Sequence, residues 1–137
     1  MDLQSLLRAL RLDGESRRVL IVEDDVSWHR SLAEDLEARG HRITSGIGAS
    51  PAGPGKLYLS GTAHQIVEIG EFDVAFLDHY FPGDHDGRTL AAALRAASSE
   101  VRLVGMSSSS AANEAMLRSG ADLAFVKSAL RRIFAAG

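Results

Sequence analysis

Short aliphatic runs alternate along the chain with segments whose apolar residues recur every three or four positions. The runs are Val19–Val22, Val74–Leu77, Val101–Met106 and Leu123–Val126. Each is too short for a buried helix and rich in the side chains that fill parallel strands covered on both faces. Between them Trp28, Leu32 and Leu36 lie four apart, with Ser27 placed to cap a helix and Gly40 to end it. Leu90, Leu94 and Ala97 mark a second helical face, and Met116 with Leu117 a third, closed by Gly120. A weaker strand is expected at His41–Ser45 and a short last helix at Ser128–Ala136. At the start, Leu3, Leu6, Leu7 and Leu10 form one face of a short amphipathic helix, expected to pack on its own domain. Strand alternating with helix predicts an α/β sheet wound through right-handed crossovers.

One stretch breaks this rhythm. Residues 46–61 hold Gly46, Gly48, Pro51, Gly53, Pro54, Gly55 and Gly61, so most of it reads as loop. Within it Lys56–Ser60 alternates, with Leu57 and Leu59 on one side, and is expected as a short strand returning beside His41–Ser45. Gly53-Pro54-Gly55-Lys56 invites a phosphate-loop reading and fails it. Ser50 stands where the first glycine is needed, and Leu57 where Ser or Thr must follow the lysine.

Composition narrows the class. The 137 residues suit one compact domain, and 45% hydrophobic residues supply a core. Fifteen basic against 18 acidic side chains, a formal charge of −3, argue against nucleic-acid binding through phosphate electrostatics. The absence of cysteine excludes disulfides, thiolate metal sites and cysteine nucleophiles. No apolar run approaches the roughly 20 residues of a membrane span. The N-terminal leucines are interrupted by Asp2, Gln4, Arg8 and Arg11, unlike a signal peptide. The expectation is a soluble, cytoplasmic protein with neither membrane nor nucleic acid as partner.

In an open parallel sheet, ligands sit beyond the carboxyl ends of the strands. Glu23, Asp24 and Asp25 follow the first run, Asp78 the second, Ser107 the third, and Lys127 the fourth. Singly, an acid after a strand is often a helix cap and a lysine is usually solvated; four strand ends agreeing is harder to reach by accident. Close carboxylates raise each other's pKa unless a cation sits among them. Hard oxygen donors suit Mg²⁺, which also bridges phosphate oxygens. A carboxylate beside Mg²⁺ can take a phosphoryl group as an aspartyl-phosphate. Lys127 can then pair with its oxygens and the Ser107 hydroxyl can hydrogen-bond another.

From about Arg18 to Lys127 the sequence resembles the receiver domain of two-component response regulators, the CheY-like superfamily. The resemblance rests on Val19-Leu20-Ile21-Val22-Glu23-Asp24-Asp25, Phe76-Leu77-Asp78, Pro82 with Gly87, Ser107, and Gly120-Ala121-Asp122 through Lys127. It implies a flavodoxin-like, doubly wound five-stranded parallel sheet of order 2-1-3-4-5 over 18–137, with 1–17 as an N-terminal extension. It makes Asp78 the phosphoacceptor, Asp24 a direct Mg²⁺ ligand, Glu23 an outer-sphere acid and the Tyr80 backbone carbonyl a further ligand. Ser107 becomes the switch hydroxyl and Lys127 the phosphate-pairing lysine, while Asp25 matches a position that is not a required ligand. The implied partners are a sensor histidine kinase or phosphotransfer protein, an output protein, and a second copy in a homodimer. No enzymatic activity is expected beyond self-catalysed phosphoryl transfer and autodephosphorylation.

Several positions depart from the family pattern. Ser128 replaces the proline that usually follows the lysine in a cis bond, Ala124 stands at the switch-aromatic position beside Phe125, and one extra residue separates Asp78 from Gly87. These, with the 46–61 insert, favour a rival reading: a pseudo-receiver that docks proteins without phosphorylation. Tyr80 is expected to shield a phosphoryl group on Asp78 from water. Glu23 with Asp84-His85-Asp86 also resembles the Toprim arrangement of a Mg²⁺-dependent nucleic-acid enzyme, which leaves Asp78, Ser107 and Lys127 unexplained. A transition-metal site among Asp78, His79, Asp84, His85 and Asp86 lacks helical spacing to converge it. With the sequence ending at Gly137 and no effector domain following, a stand-alone or an excised receiver is expected. A stand-alone one is expected to report its state by binding a partner. Arg131, Arg132, Ile133 and Phe134 are candidate contacts, against the plainer reading of a helix with Ile133 and Phe134 in the core. Ser107–Ser110 is expected to cap the next helix and Trp28 to pack in the core.

Overall fold

The aliphatic runs become strands of one parallel sheet in the computed structural model, which describes residues 1–61, 64–81 and 85–137. In chain order the elements are α1 (Leu3–Ala9), β1 (Arg18–Val22), α2 (Val26–Ala38), β2 (Arg42–Gly46), β3 (Gly48–Pro51), β4 (Lys56–Ser60) and β5 (Gln65–Glu68). A 3-10 turn at Ile69–Glu71 leads to β6 (Val74–Asp78), α3 (Gly87–Ala97), β7 (Arg102–Ser107), α4 (Ser110–Arg118), β8 (Leu123–Val126) and α5 (Lys127–Ala136). The main sheet runs β2-β1-β6-β7-β8 with every neighbouring pair parallel. Counted among its own strands this is the expected 2-1-3-4-5 order of a doubly wound fold.

Successive side chains of a strand point to opposite faces, and the core divides accordingly. Val19 and Ile21 of β1, with Phe76, Val104 and Met106, pack with Trp28, Leu32 and Leu36 of α2 and with Leu130 and Phe134 of α5. Leu3, Leu6, Leu7, Leu10 and Leu12 join this layer, so the leucine face of α1 is buried as its spacing predicts. On the other face Leu20, Val22, Ala75, Leu77 and Leu103 pack with Leu90, Ala91 and Leu94 of α3 and Met116 of α4. Among the described residues, no helix is long and apolar enough to cross a membrane.

Residues 46–61 differ from the loop reading. Lys56–Ser60 is a strand, but it does not pair with β2. It is the central strand of a separate antiparallel sheet, β3-β4-β5. Gly53 and Gly55, at φ 119° and 72°, make the turn between β3 and β4. Leu57 and Leu59 are fully buried in the second core layer, joined by Ala49 and flanked by Val67. The alternation in β4 thus works as a half-buried strand should, and the connection from β2 to β6 covers the main sheet with strands rather than a helix.

Smaller corrections follow the same geometry. Asp25, not Ser27, caps α2, its Oδ1 accepting the Trp28 N–H at 3.1 Å. In α3, Ala91 is buried and Ala97 exposed. In α4, Met116 is buried while Leu117, about 100° further round the helix, is 44% exposed. Gly40 and Gly120 end α2 and α4 at φ 94° and 124°. Ser109 caps α4 through Ala112 N–H, and Phe134 lies in the core with Ile133 packed against it.

Because Leu59 is core rather than loop, Leu59→Ala is expected to lower unfolding free energy by about 2–5 kcal/mol. A urea titration checks this; a loss below about 0.5 kcal/mol would match a surface position instead.

Candidate functional site

The strand ends converge at one edge of the main sheet. β1 and β6 are adjacent, with Val22 opposite Leu77, so the chain that follows each delivers an acid to the same place. Glu23, Asp24 and Asp78 each offer a carboxylate oxygen within 4.8 Å of the others. Glu23 is fully buried and Asp78 is 2% exposed, whereas Asp24 is exposed. Lys127, the first residue of α5, reaches between the two buried acids. Its Nζ lies 2.9 Å from Glu23 Oε2 and 3.2 Å from Asp78 Oδ1. The lysine arrives although Ser128 follows it and no peptide bond among the described residues is cis; it is the first residue of α5.

The local backbone is held in turn. Glu23 Oε2 also accepts the Asp25 N–H at 3.0 Å. The Glu23 carbonyl accepts from His29 Nδ1 at 2.7 Å, and its N–H donates to Gly46. Gly87 N–H donates to the His79 carbonyl at 2.8 Å. A Cβ on Gly87 would stand 2.2 Å from the Asp78 carbonyl, so only glycine lets the chain return this closely behind the acid. Ser107 ends β7 with 1% exposure. Its Oγ accepts the Ser109 N–H at 3.1 Å, which leaves the hydroxyl hydrogen for another acceptor. Asn113 of α4 donates to the Ser107 carbonyl at 3.3 Å; a buried asparagine in an amphipathic helix gave no sequence signal toward the site.

Other predicted residues have different employment. Asp25 caps α2 and accepts from Arg131 at 2.7 Å, and Arg131 lies over the Trp28 ring at 5.5 Å. The capping N–H of Trp28 and the Arg131 pair hold the Asp25 carboxyl below its ordinary value, against a smaller effect of burial. The Tyr80 ring is 63% exposed and packs edge-on to His79 at 4.4 Å, while the Tyr80 N–H approaches Asp78 Oδ1 at 3.4 Å. Ala124 and Phe125 sit on β8, and of the two Phe125 packs against the core. Asp86 caps α3 through the Thr89 N–H. Pro82 and Asp84 lie outside the described residues, and with Asp84 the Asp-x-Asp reading and part of the His/Asp cluster.

Two buried acids facing one lysine leave excess negative charge. Burial, then the charge of Glu23, pushes the Asp78 carboxyl up to about 8, against the opposing pull of Lys127. Burial works against the Lys127 ammonium, but hydrogen bonding to Glu23 and the charges of both acids outweigh it and raise its pKa. Glu23 Oε1 and Asp78 Oδ2 are buried without a hydrogen-bond partner among the described residues. An oxygen-only donor set with two orphaned carboxylate oxygens fits a hard divalent cation.

No protein-family model matches the chain, and no curated protein matches it in sequence. Solved structures do match. A two-component response regulator from Clostridium difficile is 20% identical, over 88% of this chain and 91% of its own, with a TM-score of 0.61. A CheY-like response regulator receiver domain protein from Methanospirillum hungatei JF-1 is 20% identical, over 89% and 94%, with a TM-score of 0.59. The Mn²⁺-bound form of response regulator Rcp1 is 17% identical, over 88% of both chains, with a TM-score of 0.60. The chain therefore has the fold of response regulator receiver domains.

The Asp78 shift has a consequence for stability. Between its ordinary value of 3.8 and about 8, the folded metal-free chain holds a proton that the unfolded chain releases. Stability from this group falls as pH rises through that window and levels off above it. Thermal midpoints without metal are expected to fall from pH 4 to pH 8 more steeply in wild type than in Asp78→Asn; equal slopes would show that Asp78 is not shifted.

Proposed function

We propose that the chain is a receiver domain of a two-component phosphorelay, taking a phosphoryl group on Asp78 from a phosphohistidine of a sensor kinase or phosphotransfer protein. The observation that carries this reading is Lys127 set between Glu23 and Asp78 while one oxygen of each acid is buried with no hydrogen-bond partner among the described residues. Asp24 and Asp78, with the Tyr80 backbone carbonyl, would hold Mg²⁺ directly, and Glu23 would act on its hydration shell. When bound, that cation neutralises the acids and charge developing on the phosphoryl oxygens.

The remaining steps belong to this chain's own groups. An ionised Asp78 oxygen bonds to phosphorus as the P–N bond to the donor histidine breaks. The Lys127 ammonium, already 3.2 Å from Asp78 Oδ1, pairs with a phosphoryl oxygen, and the Ser107 hydroxyl donates to another. The Mn²⁺-bound neighbour supports the metal assignment. The phosphorylated state is read through protein–protein contacts by an output partner in the cytoplasm. The rival reading, a docking module that is never phosphorylated, draws on Ala124 and Ser128; the placement of Lys127 without the usual proline weighs against it.

Intact-mass spectrometry after incubation with Mg²⁺ and acetyl phosphate tests the reading. One added phosphoryl group is expected in wild type, and none in Asp78→Asn or without the metal. No adduct in wild type, together with absent Mg²⁺ binding, would favour the docking module. Tyr80→Ala is expected to shorten the adduct's lifetime, as water gains access to phosphorus; an unchanged lifetime would remove Tyr80 as a shield.

A further inference from the structure

The acidic site makes no use of the small antiparallel sheet, whose two edges differ. β4 is central, and β3 and β5 form the edges. Two backbone bonds show which groups each edge turns outward. Ala52 N–H donates to Lys56 C=O at 3.0 Å, and Ile69 N–H to Gly55 C=O at 2.9 Å. Bonded positions in an antiparallel pair recur every second residue. Leu57 and Leu59 therefore bond toward β5, to their register partners Val67 and Gln65. This leaves the N–H and C=O of Ile66 and Glu68 facing away from β4. On β3 the same count turns Ala49 and Pro51 outward, and proline has no N–H to offer. Proline thus guards one edge, and nothing among the described residues guards the other.

The open edge is also complementary to itself. Ile66, cross-strand from Tyr58, is 63% exposed. His64, Ile66 and Glu68 alternate onto one face. A two-fold axis through Ile66 lays a second copy antiparallel, with Ile66 opposite Ile66 and His64 opposite Glu68 on both sides. These are the outward-bonding positions, so each N–H meets a C=O. The Tyr58 hydroxyl is hydrogen-bonded to His64 Nδ1. With the hydroxyl donating, the imidazole hydrogen stays on Nε2, where the opposite Glu68 carboxylate can accept it. Lys56, 3.9 Å from Glu68, adds a cation beside that carboxylate.

We infer that β5 is a homodimerisation edge, on which a second copy of this chain pairs antiparallel across Ile66 and joins the two three-stranded sheets into one. The contact uses the same patch on both copies and closes on itself, as a symmetric dimer requires. It is separate from Asp78 and stands whether or not that residue is phosphorylated.

The chain has no cysteine, so Ile66→Cys places a single thiol at the proposed axis. Bonded antiparallel partners have Cα atoms about 5.5 Å apart, inside the range a disulfide spans. Mild oxidation is expected to give a covalent dimer of Ile66→Cys, and none of Val26→Cys at an equally exposed position away from β5. Sedimentation velocity over a concentration series is expected to show a monomer–dimer equilibrium in wild type. Ile66→Pro removes an outward N–H and no bond to β4, and is expected to weaken that equilibrium at least tenfold with an unchanged circular dichroism spectrum. A wild-type chain that stays monomeric without selective cross-linking at position 66 would overturn the inference. So would a dimer that Ile66→Pro leaves intact. Should Ile66→Pro unfold, the cross-linking contrast decides.

Discussion

Two carboxylates are buried side by side at the ends of neighbouring strands, and their mutual repulsion is the constraint that the site is built to meet. Glu23 and Asp78 have no bulk water to spread their charge, so one of them must hold a proton or a cation must stand between them. Lys127 supplies part of the answer, contacting both at 2.9 Å and 3.2 Å. One ammonium against two acids, with Asp24 close by, leaves the balance negative. A group arriving with positive charge relieves a repulsion that folding alone leaves in place.

The scaffold makes that arrangement rigid. Adjacent parallel strands with both faces buried fix where Glu23 and Asp78 emerge, and α5, starting directly after β8, sets Lys127 at the same edge of the sheet. Gly87 lets the chain fold back against the Asp78 backbone, while Ser107 and Asn113 tie the neighbouring strand to α4. The small sheet has a different task. Leu57 and Leu59 cover the face of the main sheet that a crossover helix would otherwise cover, and among the described residues no strand pairs with the outer side of β5.

Periodicity made the main sheet legible because Val19–Val22 and Val74–Leu77 are uninterrupted and flanked by caps and glycines. The site was legible for the same reason: strand ends can be read from where aliphatic runs stop, and chemistry-bearing residues stood at four of them. The insert was not. β3 contains Gly48 and Pro51, both poor strand formers, and is a strand through its antiparallel pairing with β4. β5, at Gln65–Glu68, is too short for its alternation to stand out. Ser27 and Asp25 both suit a helix cap, and the start of α2 at Val26 makes Asp25 the cap. No local pattern announces Asn113, whose environment exists only once α4 packs on β7.

Titration calorimetry with Mg²⁺ near pH 7, in two buffers of different ionisation enthalpy, tests the account of the buried acids most directly. One ion per chain is predicted, with a proton released because Asp78 is protonated before the metal arrives, and both effects lost in Asp78→Asn. Absence of binding, or binding without proton release that persists in Asp78→Asn, would contradict it.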